Sequence, residues 1–232
     1  MVDVKGARPG RVRVIFLGPP GAGKGTQAAR LAAYLRIPRI STGDMLRDAI
    51  ASGTALGQKA APLIEKGQLV PDDLLIGMIG ERLSKDDCQP GYLLDGFPRT
   101  LNQAKAFTEM KGGNGDDAQF IIFKFDVPRS ELLKRLSGRR WCPTCQATYH
   151  IYNNPPKREG ICDKDGTPII QREDDKEIAV ERRLKDYDQL TEPIVQYYHD
   201  RSRFYEVNGF DAPDAVFAQL TGVLEGAREA AR

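Results

Sequence analysis

The sequence predicts an α/β fold, a parallel sheet with helices on both faces, and three observations carry that expectation. Short apolar runs of strand length alternate with longer stretches whose apolar residues fall at helical spacing. A glycine-rich loop joins the first of these strands to the first helix. The strands are nearly all apolar, as they must be when helices cover both faces of a sheet.

The elements follow in order. Residues 11–17 (RVRVIFL) alternate and then run apolar, and they lead straight into GPPGAGKGT. Residues 24–36 are alanine-rich with helical spacing. A short strand at 39–40 precedes a helix after Ser41-Thr42 and another that stops before Gly67. Pro71 with Asp72 and Asp73 opens a further helix to about Leu83, because proline is pre-shaped for a first helical turn and acids suit its positive end. Residues 92–94 form the next buried strand, closing on Asp95-Gly96-Phe97-Pro98-Arg99. Residues 120–125 form another, followed by a helix at 128–137, and 203–207, ended by Asn208-Gly209, form the last. Residues 1–10 read as a loose tail, basic but without the apolar stretch of an export signal.

One region breaks the rhythm. Residues 139–173 are polar, rich in Pro, Gly and Asn, and lack a helical period, so they read as a small inserted domain. A long helical stretch, 176–190, follows, and Asp174 and Asp175 read as its start.

Composition narrows the function classes. With 34 basic and 32 acidic side chains the net charge is +2, which gives no field for bulk binding to nucleic acid or membrane. No apolar run is long enough to cross a bilayer. Without an export signal the expected location is cytoplasmic, and the four cysteines are expected to be thiols or metal ligands.

The glycine loop is read as a phosphate cradle. In G-x-x-x-x-G-K-[ST] a glycine-rich turn points backbone N–H groups inward, the following helix adds its positive end, and the lysine reaches the outer phosphates. Gly18, Gly23 and Lys24 fit, Gly25 stands at the hydroxyl position, and Thr26 comes one later. The bland alternative is a plain strand-to-helix turn with an exposed lysine. Four glycines directly after a buried strand favour bound phosphate.

Cys142-Pro-Thr-Cys145 and Cys162-Asp-Lys-Asp165 share one spacing and are separated by residues 146–161, as in a zinc ribbon. Three thiolates and one carboxylate would make a closed structural site, and metal would supply the folding energy that so polar a segment lacks. Asp163 is a rival fourth ligand, but the repeated gap favours Asp165. Cys88, alone in its surroundings, reads as an inert thiol, His150 as a turn residue or a neighbour of the phosphate-bearing ligand rather than the metal ligand its position would in principle permit, and His199 as structural.

The motifs GPPGAGKGT, Ile40-Ser41-Thr42-Gly43-Asp44-Met45-Leu46-Arg47 and Tyr92-Leu93-Leu94-Asp95-Gly96-Phe97-Pro98-Arg99, in that order and with the insertion, resemble the adenylate kinase family from about residue 12 to about 217. In that family the glycine loop also ends GKGT. The resemblance implies a P-loop NTPase-like CORE (11–40, 71–138 and 174–232), an AMP-binding segment (41–70) and a zinc-ribbon-like LID (139–173). It also implies a monomer that converts ATP and AMP reversibly to ADP with Mg2+. Carried over by position, Gly21, Ala22, Gly23, Lys24, Gly25 and Thr26 hold the ATP phosphates, with Arg135, Arg139, Thr148 and Tyr149 also around ATP. Thr42, Arg47, Gln68, Leu69, Val70, Gly96, Phe97, Pro98, Arg99, Gln103, Arg172 and Arg183 hold AMP. Lys24, Arg99, Arg139, Arg172 and Arg183 serve the moving phosphoryl group, and Asp95 positions magnesium through its water shell. Cys142, Cys145, Cys162 and Asp165 match the zinc ligands of a subset of the family.

Some relatives carry lysine at Gln68, where contacts are expected to be largely backbone. The loop around residues 208–213 aligns loosely with an adenine-contacting loop and is left without a single assigned residue.

The chemistry explains the residue types. A phosphoryl group in flight spreads negative charge over several oxygens, so catalysis is positioning plus positive charge, and arginine forks grip phosphate while staying charged. Arg99, in a stiff turn at a strand's carboxyl end, is where α/β sheets collect ligands. Arg135, on a helix, could as well be a surface side chain. Gln103 suits a purine edge or an exposed helix face, and family position tips it toward contact. A lid would exclude water as a competing acceptor. The rival readings are another nucleoside monophosphate as acceptor, a nucleotide-binding switch without transfer, and a zinc-ribbon nucleic-acid module, which would need clustered Lys/Arg with interleaved aromatics.

Overall fold

The computed structural model describes residues 12–110, 120–199 and 202–229; the proposed tail at 1–10 and the start of the first strand at residue 11 lie outside the described residues. The run VRVIFL forms β1 (Val12–Leu17), flanked in parallel by β3 (Gly91–Asp95) and β4 (Phe120–Asp126). With β2 (Arg39–Ser41) and β7 (Arg203–Asn208) the sheet has five parallel strands in the order β2-β3-β1-β4-β7. Alternate side chains go to opposite faces. Val14 and Phe16 join Leu93, Phe123 and Phe125 on one side, while Ile15 and Leu17 join Leu94, Phe120 and Ile122 on the other.

Helices α1 (Lys24–Leu35), α6 (Arg129–Gly138), α7 (Glu177–Asp186) and α9 (Pro213–Glu229) cover the first face through Ala28, Leu31, Leu136, Leu184 and Leu220. Helices α2 (Thr42–Ala51), α3 (Ala55–Glu65), α4 (Asp72–Leu83), α5 (Leu101–Glu109) and α8 (Glu192–His199) cover the second through Leu46, Ala60, Ile79, Phe107 and Tyr198. Each large apolar side chain buried this way is worth about 1.5–3 kcal/mol, so both faces are driven shut by the same force. Among the described residues no helix is long and apolar enough to cross a membrane.

The helix starts are written locally. Ser41 Oγ accepts from Asp44 N (3.3 Å), Thr54 from Gly57 N (3.1 Å) and Thr100 from Gln103 N (3.1 Å), each satisfying an N–H of the first turn. No side chain caps α1, whose N-cap is Gly23, nor α4, α6 and α7, whose N-caps are Pro71, Pro128 and Lys176.

Two elements differ from expectation. The helix read over 176–190 is shorter and is continued differently: α7 ends at Asp186, a π-type turn spans Tyr187–Thr191, and α8 runs on to His199. The widened turn lets Thr191 Oγ1 reach Arg99 O (2.9 Å), a contact that helical periodicity does not reveal. The chain also adds α9 after the last strand, packing Val216, Leu220 and Leu224 on the sheet.

Residues 139–173 carry no α-helix, as expected. β5 (Arg139–Trp141) pairs antiparallel with β6 (Thr148–His150), and Trp141 exchanges backbone hydrogen bonds with Ile170 (2.8 and 2.9 Å). The two knuckles repeat one geometry. Gln146 N donates to Cys142 O (3.0 Å) as Gly166 N does to Cys162 O (3.0 Å), and Gln146 and Gly166 both sit at positive φ (61° and 73°). Their buried apolar centre is small: Cys142, Tyr149 and Cys162, with Ala147 and Ile169 against them.

Candidate active site

The sheet's carboxyl edge gathers the site. Register sets Asp95 beside both Phe16 and Ser41, so the loop after β1, the start of α2 and the turn after β3 open at one place. In the glycine loop Gly18, Gly21 and Gly23 have φ of 143°, 85° and 87°, and a Cβ at Gly18 would lie 2.9 Å from Phe125 O. Side chains there would collide or strain, so the backbone alone forms the cradle.

These loops and the 139–173 segment enclose one cavity of about 1250 Å³. Its walls include Gly21, Ala22, Gly23, Lys24, Gly25, Thr26, Thr42, Arg47, Gln68, Leu69, Val70, Asp95, Gly96, Pro98, Arg99, Arg135, Arg139, Thr148, Tyr149, Arg172 and Arg183, nearly every residue singled out for nucleotide.

The walls are strongly cationic. Lys24 Nζ is turned inward onto Gly18 O (2.6 Å) and Pro19 O (2.8 Å). Burial, with Arg99, Arg183 and Arg139 nearby, brings Lys24 down to about 7, although Asp95 pulls the other way. Burial and then Arg183 lower Arg99 to about 10, and burial with Arg47 and Arg139 lowers Arg172 to about 9. Crowded, partly dehydrated cations of this kind favour a polyanion between them.

The arginines are held in place by specific partners. Arg139 Nε lies 2.6 Å from Asp175 Oδ2, its Nη2 pairs with Oδ1, and Arg183 Nη1 reaches Asp175 Oδ1 and Asp174 Oδ2 (3.0 Å each). This corrects the reading of Asp174 and Asp175 as a helix start. They form a short 3-10 turn, Asp175 is 1% exposed, and α7 begins after them at Glu177. Their carboxylates are needed to balance buried guanidinium groups, a demand that appears only when the segments meet. Arg172 and Arg47 approach the Trp141 ring at 5.1 and 6.0 Å. Thr42 Oγ1 donates to Gly96 O (2.9 Å), which also accepts from Arg99 Nε (2.8 Å). Arg135 Nη1 donates to Gly209 O (2.8 Å), tying α6 to the loop whose Phe210, Asp211 and Ala212 line the cavity.

Four expected site residues stand differently from their neighbours. Gln103 is fully buried, which removes the exposed-face alternative. Its Nε2 donates to Asp72 Oδ1 (2.7 Å), its Oε1 accepts from Arg99 N (2.7 Å), and it does not line the cavity. The Thr100-Leu-Asn-Gln103 spacing carried that signal, since it is a capping-box pattern. Phe97 likewise lies in the core and off the cavity wall. Tyr149 lines the cavity but turns its hydroxyl inward, accepting from Asp163 N (2.7 Å). Gln68, with its amide oxygen outward, accepts from Arg182 Nη2 (2.8 Å).

Sequence reasoning passed over Arg39 and Asp44. Arg39 Nη2 lies 2.7 Å from Asp95 Oδ2 and its Nη1 lies 3.0 Å from Asp44 Oδ2, while Asp44 also pairs with Arg47. Only the position of Asp44 in a capped first turn hinted at it.

At the knuckles, Cys142, Cys145, Cys162 and Asp165 place one ligand atom each within 4.8 Å of one another. Cys145 Sγ and Cys162 Sγ are 3.4 Å apart, and Cys142 Sγ lies 3.3 Å from Asp165 Oδ2. A tetrahedral site with Zn–S bonds of about 2.3 Å needs edges of about 3.8 Å, so the donors need only small adjustments. Asp163 faces away and accepts from Lys157 N (2.9 Å).

A parallel sheet with an uncapped helix behind a glycine loop, opposed by arginines, defines a P-loop phosphotransferase. Residues 16–203 match the family model described as Adenylate kinase. The chain is 47% identical over 214 residues to an adenylate kinase of Oceanobacillus iheyensis, covering 92% of this chain and 99% of that one. It is 47% identical to one of Archaeoglobus fulgidus (92% and 98% covered) and 51% identical to one of Finegoldia magna (92% and 99%). The chain belongs to the adenylate kinase family.

Proposed function

We propose that this chain catalyses the reversible reaction its family name denotes, transfer of the terminal phosphoryl group of ATP to AMP, giving two ADP and balancing the adenine nucleotides. The observation that carries this is convergence: Lys24 with the glycine loop, Arg47, Arg99, Arg139, Arg172 and Arg183 all line one cavity. A phosphate oxygen of AMP attacks the terminal phosphorus, and the bond to the bridging oxygen breaks and leaves ADP.

The loop 21–26 with Lys24, helped by Arg135, Arg139, Thr148 and Tyr149, would hold the ATP phosphates. Thr42, Arg47, Gln68–Val70 and Gly96–Arg99 would hold AMP. Gln103 would act there chiefly by fixing Arg99, given its hydrogen bond to Arg99 N. Arg99, Arg139, Arg172 and Arg183 would balance charge in flight. Magnesium bound with ATP would neutralise phosphate charge, and Asp95, which lies beside Gly25 at the carboxyl end of β3, would orient its water shell. Residues 41–70 would act as the AMP-binding segment and 139–173 as the lid that shuts out water, both hinged on the CORE. Zinc at Cys142, Cys145, Cys162 and Asp165 would hold the lid's fold together. The cytoplasmic location expected from the sequence and the monomeric state expected from the family resemblance belong to the same proposal, and the net charge of +2 is why neither nucleic acid nor membrane is a proposed partner.

The test is ADP formation from ATP with AMP, UMP, CMP or GMP, beside a control without acceptor. Magnesium-dependent turnover with AMP alone is the expected result. Preference for another acceptor would move the assignment to that nucleotide, and no turnover above the control would reduce the protein to a nucleotide binder.

A further inference from the structure

Arg39 takes no part in the scheme above, yet it lines the cavity between two carboxylates that do matter to it. Its Nη2 and Nε lie 2.7 and 3.2 Å from Asp95 Oδ2, and its Nη1 lies 3.0 Å from Asp44 Oδ2. The other oxygen of Asp44 pairs with Arg47 Nη2. The four side chains form an unbroken row of alternating charge, Arg47, Asp44, Arg39, Asp95. A Cβ at Gly25 would sit 3.4 Å from Arg39 Nη2 and 3.5 Å from Asp95 Oδ2, so the row passes against the first turn of α1. Arg47 lies folded back over Gly43, where a Cβ would be 3.1 Å from its Nη2.

We propose that Arg39 is a positioning residue that couples the acceptor's phosphate site at Arg47 to the magnesium-facing carboxylate Asp95. The inference rests on the assignment of this site to ATP and AMP. Arg47 serves either Asp44 or an incoming phosphate. When phosphate takes Arg47, Asp44 loses one of its two cationic partners and draws Arg39 toward itself. Arg39 spans both carboxylates only in the fork geometry seen here, so that shift loosens its hold on Asp95 and frees the carboxylate to accept from metal-bound water. Coupling between binding sites is reciprocal, so magnesium nucleotide on the Asp95 side strengthens binding of the monophosphate by the same factor.

The experiment is a binding cycle by calorimetry. AMP affinity is measured with and without a saturating non-hydrolysable ATP analogue, once with magnesium and once in magnesium-free buffer lacking chelator, so that any lid metal is retained. Wild type, Arg39→Gln and Arg39→Lys are compared, with thermal melts showing that each is folded. Lid closure contributes coupling whether or not magnesium is present, whereas the Arg39 row contributes only with it. In the wild type magnesium is expected to raise the coupling factor by about fivefold, the low end of measured couplings. In Arg39→Gln that increment is expected to vanish. Arg39→Lys is expected to lose most of it, because one ammonium does not bridge two carboxylates. A full magnesium increment in Arg39→Gln or Arg39→Lys, or none in the wild type, overturns the proposal. Failure of the underlying assignment shows separately, as absence of AMP-dependent ADP formation by the wild type.

Discussion

Gln146, in the first cysteine knuckle, donates its amide to Asp48 on α2, 98 residues away in the chain. The contact joins 139–173 to 41–70, two segments that both line the cavity. Its placement depends on the left-handed backbone of Gln146, which the knuckle geometry imposes.

Removing that latch is expected to weaken closure and leave the fold intact. Gln146→Ala and Asp48→Ala should each raise KM for both nucleotides about two- to twelvefold, since a hydrogen bond is worth about 0.5–1.5 kcal/mol. A double-mutant cycle on kcat/KM reads the pairing directly. Fully additive effects would show that the two side chains do not act together in solution.

Asp175 is the counter-ion on which Arg139 and Arg183 both depend. Asp175→Ala is expected to destabilise the protein by about 2–4 kcal/mol in urea unfolding, because two partly buried guanidinium groups lose their shared, buried partner. The kcat should fall with it, as both arginines lose their aim. Asp174→Ala, which removes a partner of Arg183 alone, should cost less. Equal and small losses for the two variants would contradict the central place given to Asp175.

The pH behaviour of Lys24 follows from its lowered value of about 7, against 10.5 for an ordinary lysine. A base held down in the folded state opposes folding most strongly below about pH 7, and that penalty fades as pH rises toward 10.5. Nucleotide phosphate stabilises the charged ammonium, so ATP binding at pH 8 to 9 should take up protons. Calorimetry in two buffers of different ionisation enthalpy measures the uptake. Lys24→Met should abolish it and lower kcat about 10²–10³-fold, the usual loss for one preorganised donor. Proton release on binding would reverse the sign and refute the account.

The knuckles should require their metal. Zinc content of about one per chain is expected, falling in Cys142→Ser and Cys162→Ser, while Cys88→Ser, far from the cluster, should leave it unchanged. The buried centre of 139–173 is too small to hold the segment alone. Loss of roughly 3 kcal/mol on chelation should lower Tm by about 6–12 °C for a chain of this size. Chelation without effect on melting or on closure would mean that the thiols do not bind a structural ion.

Much of this was legible in linear order. The strand runs, the glycine loop and the paired C-x-x-C and C-x-x-D spacings depend on residues close in sequence, where backbone geometry and local ligand spacing act directly. Gln103 lay at the limit: its capping pattern was visible, but its double hydrogen bond to Arg99 and Asp72 required α4 and α5 to pack. Arg39 was silent, because a cation beside a strand has no meaning until register sets Ser41 opposite Asp95.

The sequence by itself determined the parallel α/β class, the glycine loop, the grouping of Cys142, Cys145, Cys162 and Asp165 and the candidate arginines, since each is a matter of residue type at short range. The tertiary structure alone decided which polar groups pair: Asp175 with Arg139 and Arg183, Asp44 and Asp95 with Arg39, Asp48 with Gln146. Arg139–Asp175, Arg39–Asp95 and Gln146–Asp48 join residues 36, 56 and 98 apart in the chain, and the strength of every such pairing depends on distance and on loss of water, neither of which exists before the chain has folded.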